Sequence, residues 1–209
     1  GSGALSVTGS YKHGILTKDD LRITGGEITV TAVGDGIRGR DSISVYAGTL
    51  NVTAGGDGMQ ANNDEDESKG WVCIDGGTLN ITAGSDGIQA ETALQINDGT
   101  INVATAGGAA AAKSLAADTS AKGLKAGGSI NIAGGTVNAD CADDAVHTNG
   151  SAAVTAGSLT LASGDDGMHA DATLAISGGR IAVTQSYEGL EGEVVEISGG
   201  DISVVPSDD

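Results

Sequence analysis

Apolar and polar residues alternate with a period of two along almost the whole chain, the pattern of strands that bury one face. The alternation comes in short runs, such as Leu21/Ile23, Ile43/Val45, Val72/Ile74, Leu94/Ile96, Ile130/Ile132 and Leu174/Ile176. A second set follows a Gly pair or single Gly: Ile28/Val30, Leu50/Val52, Leu79/Ile81, Ile101/Val103, Leu159/Leu161 and Ile181/Val183. A third apolar column is Ile15, Ile37, Met59, Ile88, Leu124, Val146, Met168 and Leu190. Each member of that column follows an Asp-Gly dipeptide or a variant of it.

These dipeptides set a register. Their second positions are 14, 36, 58, 87, 123, 145, 167 and 189, so the spacings are 22, 22, 29, 36, 22, 22 and 22. The period is 22 residues, with insertions of 7 and 14 near residues 62–71 and 105–121. A second marker, Gly26, Gly48, Gly99, Gly135, Gly157 or Gly179, lies 12 residues after each centre; Gly77 follows at 19, after the first insertion, and Gly200 at 11. Three short strands per repeat with Gly at the corners describe one coil of a parallel β-helix. The predicted fold is therefore all-β: a single-stranded right-handed parallel β-helix of about eight coils, stacked ~4.8 Å apart. One such domain spans residues 1–209, with the two insertions as loops. Helical solenoids are excluded, because glycine in helix interiors costs about 1 kcal/mol each. The start at Gly1-Ser2-Gly3 and the last residues, Pro206 to Asp209, which stop just before the next marker position, suggest a segment of a longer solenoid. Ala109 to Leu115 in the second insertion has room for one or two helical turns.

Composition changes the picture in three ways. With 36 Gly, no Phe and aromatics at 2%, the core must be thin and repetitive rather than built on large rings. With 10 basic and 28 acidic residues the net charge is −18, which excludes a nucleic-acid binder. No apolar run approaches the ~20 residues of a membrane-spanning helix. Of the two cysteines, Cys141 falls on the inward face and Cys73 on the outward one, so no disulfide is expected.

The candidate chemistry lies in the column before each central position: His13, Asp35, Asp57, Asp86, Lys122, Asp144, Asp166 and Glu188. Carboxylates stacked at ~4.8 Å repel one another and call for a cation between rungs, protonation or hydration. Further oxygen donors follow four or five residues on, at Asp19, Asp41, Asn62, Glu91, Asn149, Asp171 and Glu193, while Asp143 and Asp165 precede the column. Ca²⁺, with six to eight oxygen ligands, suits such pairs. The expected metal ligands are Asp35, Asp41, Asp57, Asp86, Glu91, Asp143, Asp144, Asp165, Asp166 and Asp171. His and Cys look too scattered for Zn or Cu. Lys122 is expected to neutralise both Asp86 and Asp144, leaving metal gaps above and below it. The alternative is a solvated acidic edge in which Asp-Gly is only turn chemistry. Arg38, Arg40 and Trp71 are candidate ligand-binding residues. Outward Thr and Asn columns (Thr49/Thr78/Thr100/Thr136 and Asn51/Asn80/Asn102/Asn138) are expected to bond along the axis.

The repeat Asp-Gly-Ile … Leu-x-Ile-x-Gly-Gly-x-Leu-x-Val-x-Ala-Gly-x-Asp-Gly-Ile, as in Ile74 to Ile88, resembles a bacterial carbohydrate-binding β-helix family first described from a cellulolytic clostridium and formerly a domain of unknown function. The resemblance covers nearly the whole chain. It implies a pectate-lyase-like fold, an extracellular or cell-surface location, Ca²⁺ bound along the helix by Asp35, Asp57, Asp86, Asp144 and Asp166, and binding without cleavage of cellulose or acidic polysaccharide such as polygalacturonate. His13, Lys122 and Glu188 depart from that pattern. No catalytic residue is expected. Competing readings are an adhesive stalk in which Ca²⁺ serves only rigidity, a lyase using Arg38 or Arg40 as base, and an ice-binding Thr face. End-to-end self-association through unpaired strand edges is a further expectation.

Overall fold

The computed structural model describes residues 2–116 and 118–207. Gly1, Asp208, Asp209 and, in the second insertion, Ala117 lie outside the described residues. Among the described residues twenty-one strands pair in parallel throughout, wound as a solenoid with three walls. The short wall carries Ile15–Leu16, Ile37–Gly39, Met59–Ala61, Ile88–Ala90, Leu124–Ala126 and Val146–Thr148, then the first parts of Met168–Ile176 and Leu190–Ile197. The middle wall includes Trp71–Ile74, Ala93–Ile96, Ser129–Ile132 and Ser151–Val154. The long wall includes Thr78–Ala83, Thr100–Thr105, Thr136–Cys141, Ser158–Ser163 and Arg180–Ser186. The coil is about 22 residues, and there are about nine turns rather than eight. The additional strand, Ala4–Gly9, pairs with residues 27–32 ahead of the first Asp-Gly-type marker, so counting markers misses it.

The core is the interior of the tube. One column runs Ile37, Met59, Ile88, Leu124, Val146 and Met168, each 0% exposed. Beside it stack Ile43, Val72, Leu94 and Ile130, and then Leu50, Leu79, Ile101 and Val137. Aliphatic side chains of similar size in every coil interlock along the axis, which explains how a chain nearly free of aromatics fills its interior. The corner between long and short walls takes only small residues: Ala54, Ala83, Thr105, Cys141 and Ser163. Cys141 is buried there, Cys73 is half-buried, and both are free thiols. Burial pushes Cys73 up to about 11 and Cys141 up to about 12, so neither offers a thiolate at neutral pH.

The corner between middle and long walls is the glycine column. Gly48, Gly77, Gly99 and Gly135 have φ of 111°, 94°, 109° and 78°. A Cβ on Gly77 would lie 2.8 Å from the carbonyl oxygen of Gly48. Only glycine turns this corner with coils so close. In the first two coils the strand runs through the corner, as Asp20–Ala32 and Ser42–Ala54, with a register shift at the bend.

The second insertion forms a 3-10 helix, Ala109–Ser114, where one or two helical turns are predicted. The Ala109 N–H donates to Asp140 Oδ1 at 2.7 Å, which pins its start to the long wall. In the first insertion Asn63 is buried; its Oδ1 accepts the N–H groups of Glu65 and Asp66, both at 3.1 Å, and its Nδ2 donates to Asp41. Among the described residues no helix is long and apolar enough to cross a membrane.

Candidate functional site

The Asp-Gly corner opens each strand of the short wall. The glycine lets successive coils approach: a Cβ on Gly58 would lie 2.3 Å from Ile81 Cγ2 and 2.5 Å from the carbonyl oxygen of Gly87. That approach brings each Asp within reach of the next coil's backbone. The Asp57 N–H donates to Asp35 Oδ1 at 3.2 Å, Asp86 N–H to Asp57 Oδ1 at 3.0 Å, Lys122 N–H to Asp86 Oδ1 at 2.8 Å and Asp166 N–H to Asp144 Oδ1 at 2.9 Å. The column is thus a staple between coils, and the short Asp side chain sets the reach. Lys122 offers no acceptor. Asp143 fills that rung instead, accepting from the N–H groups of Asp144 and Ala121 at 3.0 and 3.3 Å.

The other carboxylate oxygen meets a residue three positions on, except at Asp86, where it meets Lys125, the residue three positions past the next rung. These residues form a column that the sequence reading missed: Arg38, Gln60, Gln89, Lys125, His147, His169 and Glu191, in register along the short wall. Asp35 Oδ2 lies 3.3 Å from Arg38 and 3.0 Å from His13 Nδ1. Gln60 donates to Asp57 Oδ2 at 2.7 Å, Lys125 to Asp86 Oδ2 at 2.8 Å, and the His147 and His169 Nδ1 atoms lie 2.8 and 2.9 Å from Asp144 and Asp166. Lys122 does not bridge Asp86 and Asp144 as expected. Its ammonium bonds Asp143 and Asp144 at 3.0 and 2.6 Å, and Lys125 neutralises Asp86. The histidines are not scattered either. A 22-residue separation places His147 on His169, with ring centroids 4.8 Å apart.

Charge along this edge is uneven. Burial, then the flanking Asp86 and Asp35, push Asp57 up to about 7. Burial opposes ionisation of Asp144, but His147 and Lys122 prevail and hold it down to about 2. Asp166 is pushed up to about 7 by burial and by Glu191 alongside, against the opposing bond to His169. Asp165 is raised by burial and by Asp144 and Asp143.

The downstream acids separate. Asp41 bonds Lys69 at 2.9 Å and Asn63 at 2.6 Å, which holds it below its usual range. Glu91 borders a cavity of about 180 Å³ with Asp64, Asp66 and Glu67 of the first insertion and with Asn63 and Thr92. Asp171 accepts from His169 Nε2 at 3.0 Å. Asp143, Asp144 and Asp165 form a trio whose oxygens lie within 4.8 Å of one another, with Lys122 already on two of them.

The donor chemistry decides where Ca²⁺ fits. At Asp35, Asp57 and Asp86 one oxygen accepts a backbone N–H and the other faces a side-chain donor, so these rungs do not fit a cation between coils. At Glu91 four carboxylates surround one cavity, a donor set that suits a hard cation.

Two larger grooves lie elsewhere on the surface. One of about 410 Å³ is lined by Leu16, Thr17, Lys18, Arg38, Arg40 and Asn62, so the two predicted arginines share a site. Arg40 also pairs with the exposed Glu65 of the first insertion. The other, about 460 Å³, follows the long wall past Asn51, Asn80, Asn102 and Asn138. These amides bond in a ladder at 2.8, 2.9 and 2.8 Å, as the outward Asn column predicts. Trp71 is half-buried at the start of a middle-wall strand, paired with Ser42 and away from both grooves.

A family model described as "Carbohydrate-binding domain-containing protein" matches residues 1–167, about four-fifths of the chain. No curated protein and no solved structure matches it.

Proposed function

The chain belongs to this family of carbohydrate-binding domains, the one its Asp-Gly repeat resembles, and from that premise we propose an extracellular module that binds acidic polysaccharide through the basic groove of its first coils. The carrying observation is the convergence of Lys18, Arg38 and Arg40 on one groove. Five of the chain's ten basic residues (Lys12, Lys18, Arg22, Arg38 and Arg40) fall in its first 40 positions, on a protein of charge −18. A uronate carboxylate finds a planar guanidinium partner there. The contact between Arg40 and exposed Glu65 is a surface pair that a glycan carboxylate can replace at little cost. The family suggests a binding role rather than a catalytic one. Arg38 agrees with that, since its guanidinium lies on Asp35 and His13 at 3.3 and 3.4 Å rather than free as a base.

Ca²⁺ enters this reading at Glu91, Asp64, Asp66 and Glu67. Asn62 lines the basic groove and its neighbour Asn63 lines the acidic cavity, so a cation there orders the loop that borders the glycan site. The loop's own residues set the response: Asn63 and Lys69 already tie it to Asp41, so chelation weakens glycan binding without abolishing it.

Titration with polygalacturonate tests the proposal. Wild-type binding falls with salt, falls in part with chelator, and is lost in an Arg38→Ala/Arg40→Ala variant whose melting is unchanged. Undiminished binding by that variant refutes the basic groove. A second reading, a neutral glycan such as cellulose on the long wall, is favoured by the amide ladder, whose ~4.8 Å repeat is close to one hexose of an extended chain. Binding of cellulose, lost on replacing Asn80 and Asn102 by Leu, is the result it requires.

A further inference from the structure

We propose that the stacked histidines form a site for a borderline divalent cation, of which Zn²⁺ is the probe, held by His147, His169 and the carboxylates of Asp166 and Glu191, while Asp144 keeps the Lys122 ammonium. The site lies in the C-terminal coils and depends on nothing in the carbohydrate reading. Two trios meet at His169: Asp144, His147 and His169, and Asp166, His169 and Glu191, each with ligand atoms within 4.8 Å of one another.

Three observations favour a metal over a chance cluster. First, each imidazole is committed at its other nitrogen. His169 Nε2 lies 3.0 Å from Asp171 Oδ1 and His147 Nε2 lies 3.1 Å from Asn149 Oδ1, acceptors that hold a proton on Nε2 and leave Nδ1 as the ligating atom. The Nδ1 atoms face carboxylates, so without a cation each ring needs a second proton there, which a metal at Nδ1 replaces. His169 Nδ1 has two of them, Asp166 at 2.9 Å and Glu191 at 2.8 Å, and a single ring nitrogen cannot serve both with one proton. A cation among Nδ1, Asp166 and Glu191 satisfies all three. Second, the amide staple ends here. Asp166 is 4% exposed and its Oδ1 is buried with no hydrogen-bond partner among the described residues, whereas Oδ1 of Asp35, Asp57, Asp86 and Asp144 each accepts a backbone N–H. Third, a carboxylate behind a ligating histidine, here Asp171 on His169, is the outer-shell arrangement that fixes ring orientation and raises basicity. Two imidazoles among carboxylates select Zn²⁺, Cu²⁺ or Ni²⁺ over Ca²⁺, which prefers oxygen alone.

The test is calorimetric titration of the whole chain with Zn²⁺ in excess Ca²⁺, with Co²⁺ substitution read by its visible d–d absorption. One Zn²⁺ per chain should bind, undisplaced by Ca²⁺, and the Co²⁺ spectrum should show nitrogen ligation. His147→Gln/His169→Gln should remove both signals. Asp171→Asn, a positioning change, should weaken Zn²⁺ by about 10–100-fold. Melting in chelator checks that each variant folds. Zn²⁺ binding no tighter than Ca²⁺ overturns the proposal, as does Zn²⁺ binding of wild-type strength by a folded double histidine variant.

Discussion

Replacing Asp57 by asparagine should stabilise the protein, and increasingly so as pH rises. Asp57 is 8% exposed, lies between the Asp35 and Asp86 rungs, and receives only neutral donors, the Asp86 N–H and the Gln60 amide. Its carboxyl is pushed from an ordinary 3.8 up to about 7. The folded protein keeps this proton until about pH 7, while the unfolded chain releases it near 3.8. Wild-type stability therefore falls as pH rises between those values, and the loss is complete above the folded pKa. At ~1.4 kcal/mol per pH unit the total is about 4 kcal/mol. The D57N substitution removes that penalty and keeps a side-chain oxygen for the Asp86 N–H. The amide it introduces needs an acceptor for its own N–H, and Gln60 Oε1 is buried without a partner. Turning the Gln60 amide, with Gln89 following, supplies one. At roughly 2–4 °C per kcal/mol for a chain of this size, D57N should melt about 8–16 °C above wild type near pH 8. Near pH 4 the two should almost coincide. Thermal unfolding in chelator at both pH values is the assay. A variant that melts below wild type at pH 8, or by the same margin at both, refutes the account of the rung.

Three further outcomes follow from the same geometry. Lys122→Met should cost about 3–5 kcal/mol in chemical denaturation, because Asp143 and Asp144 lose their shared ammonium while largely buried. Asp144, held down to about 2, contributes stability present above its unfolded pKa and lost as pH falls through about 4 to 2; melts down to pH 2 should show that acid limb, and Lys122→Met should flatten it. Gly77→Ala should cost about 1–3 kcal/mol by thermal unfolding, since φ is 94° and the new Cβ meets the Gly48 carbonyl oxygen at 2.8 Å; an unchanged melting point removes the glycine-corner argument.

The solenoid was legible because its cause is periodic. One apolar pattern recurs every 22 residues, and stacking identical patterns is the only way such a chain buries a continuous core. The acid column was legible for the same reason. The destination of its oxygens was not, because an amide one coil away is invisible to a search for side-chain donors. The second column was hidden by its chemistry. Arg38, Gln60, Gln89, Lys125, His147, His169 and Glu191 share no property in sequence; only the register makes them one row. Its one available signal was position, the third residue after each member of the acid column. Lys122 illustrates the limit of column reasoning. Its rung was read correctly, but its long side chain reaches Asp143, a residue outside the column, while Lys125 takes Asp86.

The second column also explains how one scaffold carries opposite chemistries. From the N-terminal coils onward it passes from a guanidinium, Arg38, through the amides Gln60 and Gln89 and the ammonium Lys125, to two imidazoles and finally a carboxylate, Glu191. The acid column beneath it changes far less, so the variable row sets the local charge. In a solenoid each coil contacts only its neighbours, and the two ends are electrostatically separate at physiological salt, where charges more than ~8 Å apart are screened. The proposed glycan groove at one end and the proposed cation site at the other therefore do not pay for each other's charge. Arg38 and Arg40 substitutions should leave Zn²⁺ affinity unchanged, and His147 and His169 substitutions should leave polygalacturonate affinity unchanged. Cross-talk between the two would mean that the edge acts as one electrostatic unit, and the axial division of labour would fail.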